Sequence, residues 1–164
     1  MRTCFFIGHR EQCPEIREAL KWSIVNLILQ GGVKEFVVGG YGGFDALAHS
    51  VIMELKFAYP QIRCIRLLPY YPTGRRTELE EEYDGTLYPP GMETVPKRFA
   101  IVRANRYMVE TADYLITYVW HTASNARNIL EYAREREEKG LIRVENLGGR
   151  RKERSPEAAL RGMR

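Results

Sequence analysis

The sequence predicts an α/β chain of Rossmann-like type, a three-layer sandwich built on a mainly parallel sheet of about five strands. Two observations predict it. Short apolar runs alternate with amphipathic stretches along most of the chain, the pattern of strands joined by crossover helices. Glycines then cluster where those runs end, at the points where a parallel sheet hands the chain to a helix.

Thr3–Ile7 reads as the first strand, ended by Gly8. Pro14 can open a helix in which Ile16, Leu20, Ile24, Leu27 and Ile28 recur at helical spacing until Gly31-Gly32. Glu35–Val38 is a second, short strand that runs into glycines. Asp45 is placed to cap a helix with Leu47, Val51, Leu55 and Ala58 as its apolar stripe, closed by Pro60. Ile62–Leu68 is a third strand. From Tyr70 to Pro96 the periodicity fails, which predicts a long loop with one short helix around Thr77–Tyr83. Pro96 opens a helix through Phe99, Val102, Arg106 and Val109. Tyr114–Val119 is the fourth strand, Ala126–Lys139 a charged helix and Leu141–Asn146 the fifth strand.

A chain of 164 residues suits one domain. Residues 1–147 are expected to form it, with 148–164 a basic, flexible tail. The tail holds Arg150, Arg151, Lys152, Arg154, Arg161 and Arg164 against Glu153 and Glu157, which equals the whole formal excess of +4. The body is therefore neutral, which argues against nucleic acid as a partner. Cys4, Cys13 and Cys64 are an odd set without CxxC spacing, so neither a disulfide framework nor a zinc site is read. No run reaches about 18 apolar residues, so no membrane span is expected and the expected location is the cytoplasm. Neither a metal nor a resident cofactor is indicated.

The strongest chemical signal is Gly39-Gly40-Tyr41-Gly42-Gly43-Phe44-Asp45, between a strand and a helix. Backbone N–H groups there can face a phosphate, and glycine lets the chain come close to it. The spacing is neither GxGxxG nor a P-loop. Asp45 can cap the helix or accept from a ribose hydroxyl. Gly8-His9-Arg10 ends the first strand, and ligands of open α/β sheets bind at such ends. Arg10 could pair with phosphate and His9 with base or ribose. His49 and His121 are weaker candidates. Arg103, Asn105 and Arg106 precede the fourth strand; Tyr118, Ser124 and Asn125 flank the turn after it. Glu131 lies on the following helix. Tyr70, Tyr71 and Tyr83 could close over a base as an aromatic lid. Trp22 with Ile24–Leu29 offers an apolar helix face through which copies could pair as a homo-oligomer.

Together these features resemble the SLOG superfamily, named for Smf/DprA and the LOG proteins, and especially its short YpsA-like branch. The resemblance rests on Cys4-Phe5-Phe6-Ile7-Gly8-His9-Arg10, on Gly39–Asp45 continuing to Ala48, on Asn105-Arg106-Tyr107-Met108 with Ala112-Asp113-Tyr114-Leu115-Ile116, and on Asn128–Ala133. It implies a Rossmann-like fold that binds a nucleotide-derived small molecule, of ADP-ribose, NAD-related or cyclic nucleotide type, as a sensor or sequestering protein. LOG enzymes cleave the N-glycosidic bond of nucleoside monophosphates, which makes a nucleotide N-glycosidase with Asp45 or Glu131 as catalytic carboxylate the alternative. Their Pro-Gly-Gly-x-Gly-Thr-x-x-Glu stretch is replaced here by His121-Thr122-Ala123-Ser124-Asn125, and their arginine four residues before Met108 by Ala104. DprA-like binding of single-stranded DNA is a third reading, and a steep fall of affinity with salt would mark it.

Overall fold

The computed structural model describes residues 1–71, 82–121 and 124–149. Six strands form one sheet: β1 (Arg2–Gly8), β2 (Val33–Val38), β3 (Arg63–Leu67), β4 (Gly85–Leu87), β5 (Tyr114–Tyr118) and β6 (Arg143–Asn146). Every pairing is parallel and the order is β4-β3-β2-β1-β5-β6. Among the described residues four α-helices lie between them: α1 (Arg17–Leu29), α2 (Gly43–Leu55), α3 (Ala100–Thr111) and α4 (Asn125–Glu138).

The period of two along each strand sorts side chains to opposite faces. Cys4 and Phe6 of β1 join one core with Phe36, Val38, Cys64, Ile116 and the inner faces of α1 and α2. Phe5 and Ile7 join the other with Val37, Ile65, Leu115 and the inner faces of α3 and α4. Both faces of the sheet are thus covered, which is why its strands read as nearly continuous apolar runs. Burying each of the large side chains, such as Phe6, Phe36 and Phe44, stabilises the fold by about 2–3 kcal/mol.

The winding places the site. From β1 the chain proceeds through β2 and β3 to β4 in one direction, then returns across β1 to β5 and β6 on the other side. The reversal lies between β1 and β5. In open parallel sheets the crevice beyond the strand ends at that point is where ligands sit.

Several expectations are corrected in detail. The sheet has six strands rather than about five, because β4 forms inside the stretch read as a loop. Three residues are too few for an alternating signal. Asp84 holds β4 in register instead: its carboxylate accepts from the Cys64 N–H at 2.8 Å and from Lys56 Nζ at 2.6 Å. These contacts keep the Asp84 carboxyl below its usual range despite burial, which alone would raise it. Helix α3 starts at Ala100 rather than Pro96, after a 3-10 turn over Lys97–Phe99. The short helix expected around Thr77–Tyr83 falls mostly on residues 72–81, outside the described residues, as does the tail from residue 150. Among the described residues no helix is long and apolar enough to cross a membrane.

Candidate functional site

A cavity of about 640 Å³ opens at the carboxyl ends of β1, β2 and β5. Its volume lies within the range of roughly 300–1,000 Å³ typical of small-molecule sites. Of the residues singled out in the sequence, Gly8, His9, Arg10, Gly39, Tyr41, Asp45, Asn105, His121, Ser124 and Asn125 line it. Ile7, Leu67, Pro69 and Ile101 give it an apolar wall, and Asn128 adds a second amide beside Asn125.

The glycine turn is built differently from the expected phosphate cradle. Gly43 N–H donates to the Arg10 carbonyl at 2.9 Å and Phe44 N–H to the His9 carbonyl at 3.4 Å. Tyr41 N–H donates to the Asp45 carboxylate at 3.1 Å. These amides are consumed by the chain itself. The glycines allow that packing: a side chain at Gly43 would put its first carbon 2.6 Å from the Glu11 carbonyl carbon, and one at Gly40 would overlap the Arg66 guanidinium. Gly42 and Gly43 therefore serve the approach of chain to chain and Gly40 that of the Arg66 side chain, and none of the three lines the cavity.

Asp45 is also not the helix cap. The cap position of α2 is Gly42, without a side-chain bond, and Asp45 stands in the first turn and reaches back to the Tyr41 amide. The bond resembles the acidic half of a capping box but is displaced by one residue, to the amide that precedes the cap position. Burial pushes the Asp45 carboxyl up to about 6, opposed by the Tyr41 N–H and by Arg66. Arg66, on β3, had no part in the sequence reading. It donates to the Gly39 carbonyl at 3.0 Å and lies 5.6 Å from the Tyr41 ring centre and 5.8 Å from that of Tyr83. A cation within a buried parallel strand was the available signal, since such strands are otherwise apolar.

His9 is buried and does structural work. Its Nε2 accepts from the Trp120 N–H at 3.0 Å and the His121 N–H at 3.4 Å, which assigns the proton of a neutral ring to Nδ1. It thereby ties the end of β1 to the turn after β5. Asn146 anchors that turn from the other side, accepting from the Val119 and Gly148 amides and donating to the Val119 carbonyl. His121 stacks on His9 at 3.6 Å with an interplanar angle of 11°, and its Nε2 lies 3.4 Å from Glu11. Glu11 is kept below its usual range, first by its own N–H and then by His121, against desolvation. His9, Glu11 and His121 have ligand atoms within 4.8 Å of one another. Imidazole lone pairs lie in the ring plane, however, and two nearly parallel planes 3.6 Å apart do not meet at one ion about 2 Å from each nitrogen. The arrangement is two stacked rings with a carboxylate beside one of them, not a chelate.

Other candidates lie off the cavity. Tyr118 is buried, with its hydroxyl donating to Glu15 at 3.3 Å. Tyr70 packs on the Lys97 segment, its hydroxyl donating to the Lys97 carbonyl at 3.4 Å. Tyr71 is exposed and stacks edge-on against Tyr88; Tyr83 packs on His49. Arg103 is exposed, and Arg106 sits over the Tyr132 ring at 4.7 Å. Glu131 pairs with Arg127 at 3.3 Å on the exposed face of α4. Thr122 and Ala123 are outside the described residues. At the start of α4, Ser124 is the cap and accepts from Arg127 N–H at 3.4 Å, so the positive end of a 14-residue helix borders the cavity.

Residues 1–87 match the family model described as the YspA SLOG family, YpsA. That is more than half of the chain, and it takes in both the β1 end and the glycine turn. The chain belongs to this family. Its six-stranded parallel sheet with helices on both faces is the Rossmann-like arrangement expected of a SLOG protein. No curated protein matches the chain.

Proposed function

We propose that this SLOG protein binds a nucleotide-derived small molecule, of ADP-ribose, NAD-related or cyclic nucleotide type, and acts as its sensor or sequestering protein. One observation carries the reading: a cavity of nucleotide size sits at the reversal of strand order, with Arg10 at one rim and the start of α4 at the other. With Gly43 and Phe44 amides committed to the chain, the anion is gripped by Arg10 and by the first turn of α4 with Asn125. Arg10 is exposed and forms no ion pair among the described residues. Asp45 accepts from ribose hydroxyls, and the wall of Ile7, Leu67, Pro69 and Ile101 takes the base. Native mass spectrometry of freshly purified protein is expected to show a retained small molecule that identifies itself by mass. Arg10→Glu should purify folded and without it. Retention by that variant would remove Arg10 from the role.

Asp45 favours one second reading. A carboxyl near pKa 6 inside the cavity suits an N-glycosidase, in which it would face the cationic ribose of the transition state. Base released from AMP or NAD, abolished by Asp45→Ala, is the expected result of that reading. Turnover that survives the substitution would discard it. Glu131 is not among the residues that line the cavity, and its carboxylate pairs with Arg127.

A further inference from the structure

We infer that the protein forms a two-fold symmetric dimer in which α1 packs antiparallel on α1 of a second copy. Helix α1 is apolar on two faces. Leu20, Ile24 and Ile28 are buried toward the sheet. On the outer side lie Trp22, 68% exposed, and Leu29, 66% exposed, with half-buried Val25 between them packed on the edge of the core. A helix that only covers a sheet needs one apolar stripe. A second, two turns long and crowned by a tryptophan, is the mark of a surface that another one covers. The sequence reading of Trp22 with Ile24–Leu29 as one face is thus divided by the fold: its Ile24 and Ile28 belong to the core.

Charge selects the occupant. The cations nearest the stripe, Arg17 and Lys21, are held by Glu54 of α2 at 2.8 and 3.0 Å. What flanks the stripe is exposed Glu18 at its amino end and exposed Arg2 and Lys34 at its carboxyl end. Arg2 is fixed there by bonds to the Gly31 carbonyl and the Tyr114 hydroxyl. An antiparallel pair with its axis between Val25 and Asn26 lays Trp22 on Leu29 of the other copy, and the reverse. The same register carries Glu18 to the level of the other copy's β2 start, beside Lys34 and Arg2. Symmetry makes each contact twice. A parallel pair would instead set Glu18 against Glu18. The surface is self-complementary only in the antiparallel sense.

One helix per copy is a small contact, at the low end of specific interfaces, so the dimer is reversible. No residue of α1 lines the cavity, and dimerisation is therefore separable from ligand binding. Sedimentation velocity over a concentration series is expected to show monomer passing to dimer, with the Trp22 emission (difference from Trp22→Phe) shifting to the blue in step. Trp22→Glu should stay monomeric with an unchanged thermal melt. Glu18→Lys should weaken the dimer about tenfold, and the added change Lys34→Glu should restore it. Several results would overturn the proposal: a wild-type monomer at every concentration, a dimer indifferent to Trp22→Glu, or Trp22 emission already blue and independent of concentration. The last would mean that the chain covers this face itself.

Discussion

Gly43→Ala is expected to cost about 3–5 kcal/mol, a large part of the 5–15 kcal/mol that holds a domain folded. The added carbon would meet the Glu11 carbonyl and the Gln12 Cα at 2.8 Å, all of it backbone. Backbone cannot rotate out of the way as a side-chain tip can. The segment 9–12 would have to retreat, and the bonds from Gly43 and Phe44 to the Arg10 and His9 carbonyls would go with it. Phe44 would then lose its seat against Gly8 at the end of β1. Thermal unfolding followed by circular dichroism should show a fall in Tm of about 6–20 °C. Gly149→Ala, with open space around it, serves as the control and should melt like wild type. An unshifted Gly43→Ala would mean that the turn is not clamped to the β1 loop.

Asp45→Asn is expected to separate stability from function. The folded carboxyl has a pKa of about 6, above its ordinary 3.8, chiefly through burial. An acid whose pKa is raised on folding binds more protons folded than unfolded, so stability falls as pH climbs from about 4 to 6 and stays reduced above it. The loss is on the order of 2–3 kcal/mol. Asparagine escapes it and still accepts from the Tyr41 N–H. The variant should melt several degrees above wild type at pH 8 and no higher at pH 4. If the ionised carboxylate takes ribose hydroxyls, wild-type affinity should rise with pH between 5 and 7, and the variant should bind weakly at every pH. Melts as a function of pH, with and without nucleotide, test both halves. A variant less stable than wild type at pH 8 would show that the charge is welcome in the fold.

The sequence made the architecture readable because both faces of each central strand are buried. Thr3–Ile7 and Tyr114–Val119 had to be near-continuous apolar runs, and the helices between them had to carry one-sided stripes. Strand β4 escaped because its register is set by Asp84 from outside the strand. The site was harder to read for a physical reason: glycine looks the same whether it makes room for a phosphate or for another stretch of chain. Gly40 makes room for Arg66 and Gly43 for the loop after His9, so the turn shapes the cavity and its committed amides do not grip. Arg10, Asp45 and Asn125 line the cavity because they stand at strand ends and helix starts. Arg106 and Glu131 were singled out by residue type and by the family resemblance, and their helices turn them toward Tyr132 and Arg127.

The central claim is that the cavity beyond β1 and β5 holds a nucleotide through Arg10 and the start of α4. Thermal shift against a panel of AMP, NAD, ADP-ribose and cyclic nucleotides, run on wild type and Arg10→Glu side by side, tests it most directly. A ligand at a hundred times its Kd adds about 2.7 kcal/mol to the folded state. At least one nucleotide should therefore raise the wild-type Tm by about 5–10 °C, and should do so far less in the variant. A flat response to the whole panel at millimolar concentration, or an equal rise in both proteins, would contradict the account.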